Sequence, residues 1–150
     1  MFEAIGDTPY NIILFLHVVT AFVAFAPAIA HPVLSTAMQQ GGAAERPAVF
    51  GYMAQNTMKI YGSSLIVSGL LGFGVAGMSD KVFKMSQGWL VAAFLIWIAM
   101  NGVLHGMIRP AERAVAEGDD TAESKLSMGG GLMTLLFLVQ LYVMIFKPGL

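Results

Sequence analysis

Charged residues divide this chain into four long runs that carry none. They extend from Thr8 to Ala44, Ile60 to Met78, Met85 to Ile108 and Leu126 to Phe146, and the first is most apolar between Ile12 and Leu34. A hydrocarbon core of about 30 Å is crossed by about 20 apolar residues in helical form, so each run is long enough for one passage. An open sheet in lipid would strand its backbone polar groups, so these runs must be helices. The pattern therefore predicts an all-α fold, a polytopic transmembrane four-helix bundle. Its single domain has spans at about 10–37, 58–78, 86–109 and 125–146.

The ends of the runs carry start and stop signals. Thr8-Pro9 reads as an N-cap followed by proline in the first turn, and Ser86 stands where the third span needs a cap. Asp120 with Glu123 resembles a capping box ahead of the fourth span. Lys147-Pro148-Gly149 stops that span. Ala28-Ile29-Ala30 has the small-x-small form of a leader cleavage site, but Glu3 and Asp7 precede it with no basic residue, so the first run is expected to be retained. Four passages place both termini and the 79–84 loop on one side. That side holds Lys81, Lys84 and Lys147, and the other holds Arg46, Lys59, Arg109, Arg113 and Lys125. The positive-inside rule then puts both termini outside, in a bacterial inner membrane.

Composition narrows the classes further. Only 11% of the residues are charged against 57% hydrophobic, too few to cover a water-facing surface of this length. A formal net charge of −1 gives no footprint for nucleic acid, so the expected surroundings are the lipid bilayer and other membrane subunits. With no Cys, thiol catalysis and thiolate ligation of haem or iron–sulfur clusters are excluded. No carboxylate falls inside a run, which argues against a proton or cation pump. The eleven Met residues are scattered and read as adaptable packing.

Small residues mark close helix approaches. Ser64, Ser68, Gly72 and Ala76 recur at i+4 with Gly69, Gly74 and Gly77 beside them, and Gly102 with Gly106 forms a GxxxG pair. Both faces are expected to pack inside the bundle or against a partner. Pro27 and Pro32 each remove one helical donor, so the first helix is expected to bend or loosen at that end. The 109–125 connection is the charged segment. A short amphipathic extension of the third helix is plausible up to Gly118; the segment reads first as a solvated loop, with a docking site for a neighbouring subunit as the alternative.

Ionisable residues within spans are costly and therefore serve as site candidates; here they are His17, His31 and His105. With a rise of about 1.5 Å per residue, His17 lies about 10 Å below one boundary, and His31 and His105 lie about 31 and 26 Å below it. The level pair His31 and His105, close to Asn101, Arg109, Lys59 and Tyr61, makes a polar cluster. It reads either as ordinary hydrogen bonding near headgroups or as a metal, haem-propionate or quinone-head site in which Arg109 holds an anion. Gln140 and Met144 reach the depth of His17. A hydrogen bond from His17 to Gln140 is one reading, ligation of haem b by His17 with Met144 or nothing as second ligand is another, and a quinone or chlorophyll contact is a third.

Leu16-His17-Val18-Val19-Thr20-Ala21-Phe22 resembles the L-H-V-x-x-A-x opening of a large uncharacterised bacterial family of four-helix integral membrane proteins. More distantly it is similar to the HemJ-type protoporphyrinogen oxidases and the CopD copper-resistance membrane domain. The HemJ resemblance implies haem binding by the first-helix histidine, which falls on His17. The residues otherwise spell out spanning and packing, with no nucleophile–base pair and no phosphate loop. The expected function is thus that of a non-catalytic accessory subunit of a respiratory or photosynthetic electron-transfer complex. The alternative is a small haem-b-binding membrane oxidoreductase ligated through His17.

Overall fold

The computed structural model of the chain describes residues 5–41 and 46–149, which are helical apart from short turns, with no strand among them. Four helices are long and apolar enough to cross a membrane, through Thr8–Ala30, Pro47–Gly77, Gly88–Ala116 and Ala122–Phe146. The first belongs to α1 (Thr8–Gly41). The second joins α2 (Arg46–Asn56) to α3 (Ser63–Gly77) through a wide, i→i+5 hydrogen-bonded stretch, Thr57–Gly62. The third joins α4 (Gly88–Val103) to α5 (Arg109–Ala116) through a second wide stretch, Leu104–Ile108. The fourth is α6 (Ala122–Phe146).

Outward-facing Phe15, Phe22, Leu70, Leu95, Leu135 and Ile145 are all exposed, a surface suited to hydrocarbon and untenable in water. Inside, α1 packs on α3 and α6, α6 packs on α4, and the seam between α3 and α4 is the sparsest of the four. The core runs down the middle through Phe25, Leu65, Met100, Leu104, Met133 and Phe137, with the Phe25 and Phe137 rings stacked at 3.5 Å.

The segments flanking the spans differ from the sequence expectation. Residues 46–57 and 109–116, read as connection, are helical and pack against each other as α2 and α5. Phe50, Ala111 and Val115 are buried there and Arg113 is exposed, so α5 is the amphipathic extension and not the solvated loop. Pro110 sits in the first turn of α5, where its missing N–H costs little. Helix α1 continues unbroken across Pro27 and Pro32. Irregular hydrogen bonding occurs in the two wide turns, which insert extra residues and rotate the downstream faces.

Three of the cap assignments shift by one residue. Thr8 is itself the first helical residue of α1, and Gln87, in extended conformation, precedes α4 in place of Ser86. Ahead of α6 the turn is built by Asp119, whose carboxylate accepts from the Thr121 hydroxyl at 2.6 Å and the Thr121 amide at 2.9 Å. The same two bonds, the hydroxyl first, hold the Asp119 carboxyl below its ordinary range. Lys147 ends α6 in the left-handed region, φ 42°, as the Lys-Pro-Gly stop requires.

The small-residue ridge on α3 is used. Ser68 and Ala76 are buried, Gly74 abuts Ile13, and Gly69 admits the Trp97 indole, whose Nε1 donates to the Leu65 carbonyl at 2.8 Å. Gly102 and Gly106 are not packed within the bundle: both are exposed, and a methyl group added to either would project into open space. Trp89, Ala93, Met100, Val103 and Leu104 occupy the inner face of this helix, which turns the glycine pair outward.

Gly69→Ala would set a methyl 2.5 Å from the Trp97 Nε1. It should destabilise the protein by about 1–3 kcal/mol, whereas Gly102→Ala should stay within about 0.5 kcal/mol. Thermal unfolding of the two variants in one detergent checks the contrast.

Candidate functional site: an apolar cavity with a tautomer-fixed histidine

The sparse α3–α4 seam overlies a cavity of about 400 Å³ lined by all four long helices. The seam itself is spanned by aromatic edges, Phe73 against Phe94 at 5.5 Å and against Trp97 at 6.3 Å between centroids. Cavity walls are almost wholly apolar. The polar exceptions are His17 and Tyr10 from α1, Ser68 from α3, Gln140 from α6 and Lys147 just beyond it.

His17 is held by α3. Its Nδ1 lies 2.7 Å from the Ser68 carbonyl oxygen, and since a carbonyl only accepts, Nδ1 carries the proton. Ser68 answers by donating its hydroxyl to the His17 carbonyl at 3.2 Å. The ring rests on Gly72, where a methyl would sit 3.1 Å from the imidazole Cε1, so the missing side chain is what lets the ring lie there. In the neutral ring Nε2 keeps its lone pair and has no hydrogen-bond partner among the described residues. Donation of one ring nitrogen to a carbonyl, with the other left open, is the arrangement that orients a ligating histidine.

The expected His17–Gln140 hydrogen bond does not form. Close approach of α1 to α3 gives His17 the Ser68 carbonyl instead, and the Gln140 Oε1 is buried with no partner among the described residues. Gln140 and Met144 nevertheless line the same cavity as His17, at the shared depth that the helical rise implied. Among the described residues, the members of the second candidate cluster bond within their own helix or stand apart. His105 is exposed on the outer face of the wide turn, and its Nδ1 donates to the Asn101 carbonyl of its own helix at 2.8 Å. Asn101 likewise donates to Trp97 of the same helix at 2.9 Å, and Lys59 is exposed. Arg109 is half-buried with its Nε unpartnered, and it lies outside the cavity. His31 lies on α1, and its side chain is outside the described residues. Among the described residues no group of three His, Asp or Glu side chains is placed to hold a metal ion.

The sequence does not mark Tyr10, Trp89 and Lys147 as site residues. The Lys147 ammonium stands 5.4 Å from the Phe83 ring centroid and 6.0 Å from that of Trp89, and these two rings meet edge to face at 5.3 Å. The order Phe83, Trp89, Lys147 along the chain gives no hint of this. The one signal is that all three belong to the same end of the bundle.

No protein-family model, curated protein or solved structure matches this chain. The class is therefore defined by fold and site alone: an all-α bundle of four apolar, membrane-length helices with a half-open apolar cavity between them.

A buried carbonyl oxygen without a donor costs about 1–3 kcal/mol. Gln140→Leu should therefore raise the ligand-free protein's stability by about that amount, measured as an upward shift in unfolding temperature. An unchanged or lowered midpoint would show that the Gln140 amide is satisfied.

Proposed function

We propose that this chain is a non-catalytic, haem-b-binding membrane protein of an electron-transfer complex, in which His17 Nε2 would hold the haem iron. The observation that carries this reading is the His17–Ser68 pair: the tautomer is set by a backbone carbonyl, and the open nitrogen belongs to a ring lining an apolar cavity. The residues present fit the group. The fit is one of chemistry: an open imidazole nitrogen and a thioether on an apolar, half-open cavity of about 400 Å³ whose α3 wall Gly69 and Gly72 keep low. Met144 lines the same space and supplies a thioether as second ligand. Haem supplies one-electron redox chemistry. The chain's own residues orient the imidazole, exclude water with aromatic edges and offer the Gln140 carbonyl oxygen as a hydrogen-bond acceptor. The bacterial inner membrane and the outward termini, from the five-to-three distribution of basic residues, belong to the same proposal.

A second observation supports placement among other membrane subunits. Gly102 and Gly106 expose bare backbone on the outer surface, the form that a neighbouring transmembrane helix packs against. In that version the protein is an accessory subunit whether or not it carries haem.

Purified protein titrated with haem b should develop a Soret band with one site per chain. His17→Ala should weaken binding at least about tenfold, the loss of roughly 1.4 kcal/mol or more. Met144→Leu should retain the band and lower the reduction potential. A wild-type protein with no Soret band in lipid or detergent would remove the haem reading, and migration only as a free monomer from native membranes would remove the subunit reading.

A further inference from the structure

The polar groups of the cavity are sorted by kind along its length. At the level of His17 two acceptors stand open, His17 Nε2 and the Gln140 Oε1, which have lone pairs and no donor among the described residues, with the Gln140 amide N–H groups beside them. At the end that carries both termini the polar groups donate. Lys147 brings an ammonium with no carboxylate beside it among the described residues. Tyr10, only 4% exposed, brings a hydroxyl without a hydrogen-bond partner among those residues, while Trp89, whose buried Nε1–H is also unpartnered, stands outside the cavity lining. Tyr10 and Lys147 both line the cavity. A ligand matching this order has an electrophilic or donating centre midway and acceptors at one edge.

We propose that Lys147, with Tyr10, binds the carboxylates of the cavity's ligand, so that its acidic edge faces the end of the bundle where both chain termini lie. For haem b, on whose assignment to His17 this inference rests, those carboxylates are the two propionates. Lys147 is suited to the task in two ways. Its left-handed backbone at the α6 stop, φ 42° and ψ 59°, turns the chain so that the side chain lies along the cavity edge. Its ammonium rests on the Phe83 and Trp89 rings, a cation–π contact that holds the charge near the mouth and is weaker than a charge-assisted bond to a carboxylate. A carboxylate arriving at this edge therefore draws the ammonium off the rings.

Haem b and haem dimethyl ester, whose carboxylates are blocked, separate this inference from the haem assignment itself. Wild-type protein should bind haem b about tenfold more tightly than the diester by Soret titration. Lys147→Met should bind both with the diester's affinity, and Lys147→Arg should retain the preference. Equal binding of haem b and the diester by wild type overturns the inference while leaving the His17 assignment in place. If neither gives a Soret band, the haem reading fails, and titration with palmitate decides the carboxylate subsite. In a Trp97→Phe background, where Trp89 alone emits, a Lys147-dependent fluorescence response upholds it for a fatty-acid ligand, and no response overturns it.

Discussion

The reciprocal pair between α1 and α3 sets the geometry on which the cavity depends. His17 donates to the Ser68 carbonyl and Ser68 donates to the His17 carbonyl, so each helix presents both a donor and an acceptor to the other. In hydrocarbon there is little hydrophobic drive to bring two apolar helices together, and association rests on close packing and such polar bonds. The bonds need short backbone separation, and Gly72 provides it by leaving room for the imidazole. Once α1 is drawn onto α3, α1 also meets α6 and α6 meets α4. The remaining seam, α3 to α4, is left to be filled by side chains, and Phe73, Phe94 and Trp97 fill it from the edges. The cavity is what lies behind them.

The opposite end of the bundle is built by different means. There α2 and α5 extend two of the spans and bury Phe50, Thr57, Ala111, Glu112 and Val115 between and around them. The Thr57 hydroxyl bonds its own helix at the Met53 carbonyl. The cavity lies toward the end with the termini, away from these buried residues. The asymmetry places bulk packing and the candidate site in separate halves of the same four helices, so substitutions in one half act on stability with limited direct effect on the other.

Much of the architecture was legible because the bilayer imposes a length and forbids unpaired backbone, two constraints that uncharged runs display directly. The α3 ridge was legible for a similar reason, since Ser68, Gly72 and Ala76 recur at helical spacing. What could not be read was which side of α4 faces inward. Gly102 and Gly106 match a packing motif, but Trp89, Met100 and Val103 compete for the interior and win it by bulk. The wide turn at Leu104–Ile108 also leaves His105 exposed, a register change with no signature in composition. The His17 partner was missed because the acceptor is a backbone carbonyl, which every residue possesses and no sequence pattern advertises. Gln140, the side-chain candidate at the right depth, was close in space and lost to a nearer main-chain oxygen.

The unpartnered groups are the strongest sign that this half of the bundle is built for something other than stability. An apolar side chain at Gln140 would avoid an orphaned buried carbonyl, and a small apolar one at His17 would avoid placing an imidazole in a span. Lys147 holds its charge over two rings with no counter-ion among the described residues, in a backbone conformation that glycine would adopt more easily. Each choice is mildly unfavourable alone. Three together in one apolar cavity, acceptors midway and donors at one edge, fit poorly with packing and well with a ligand whose own polarity runs the other way.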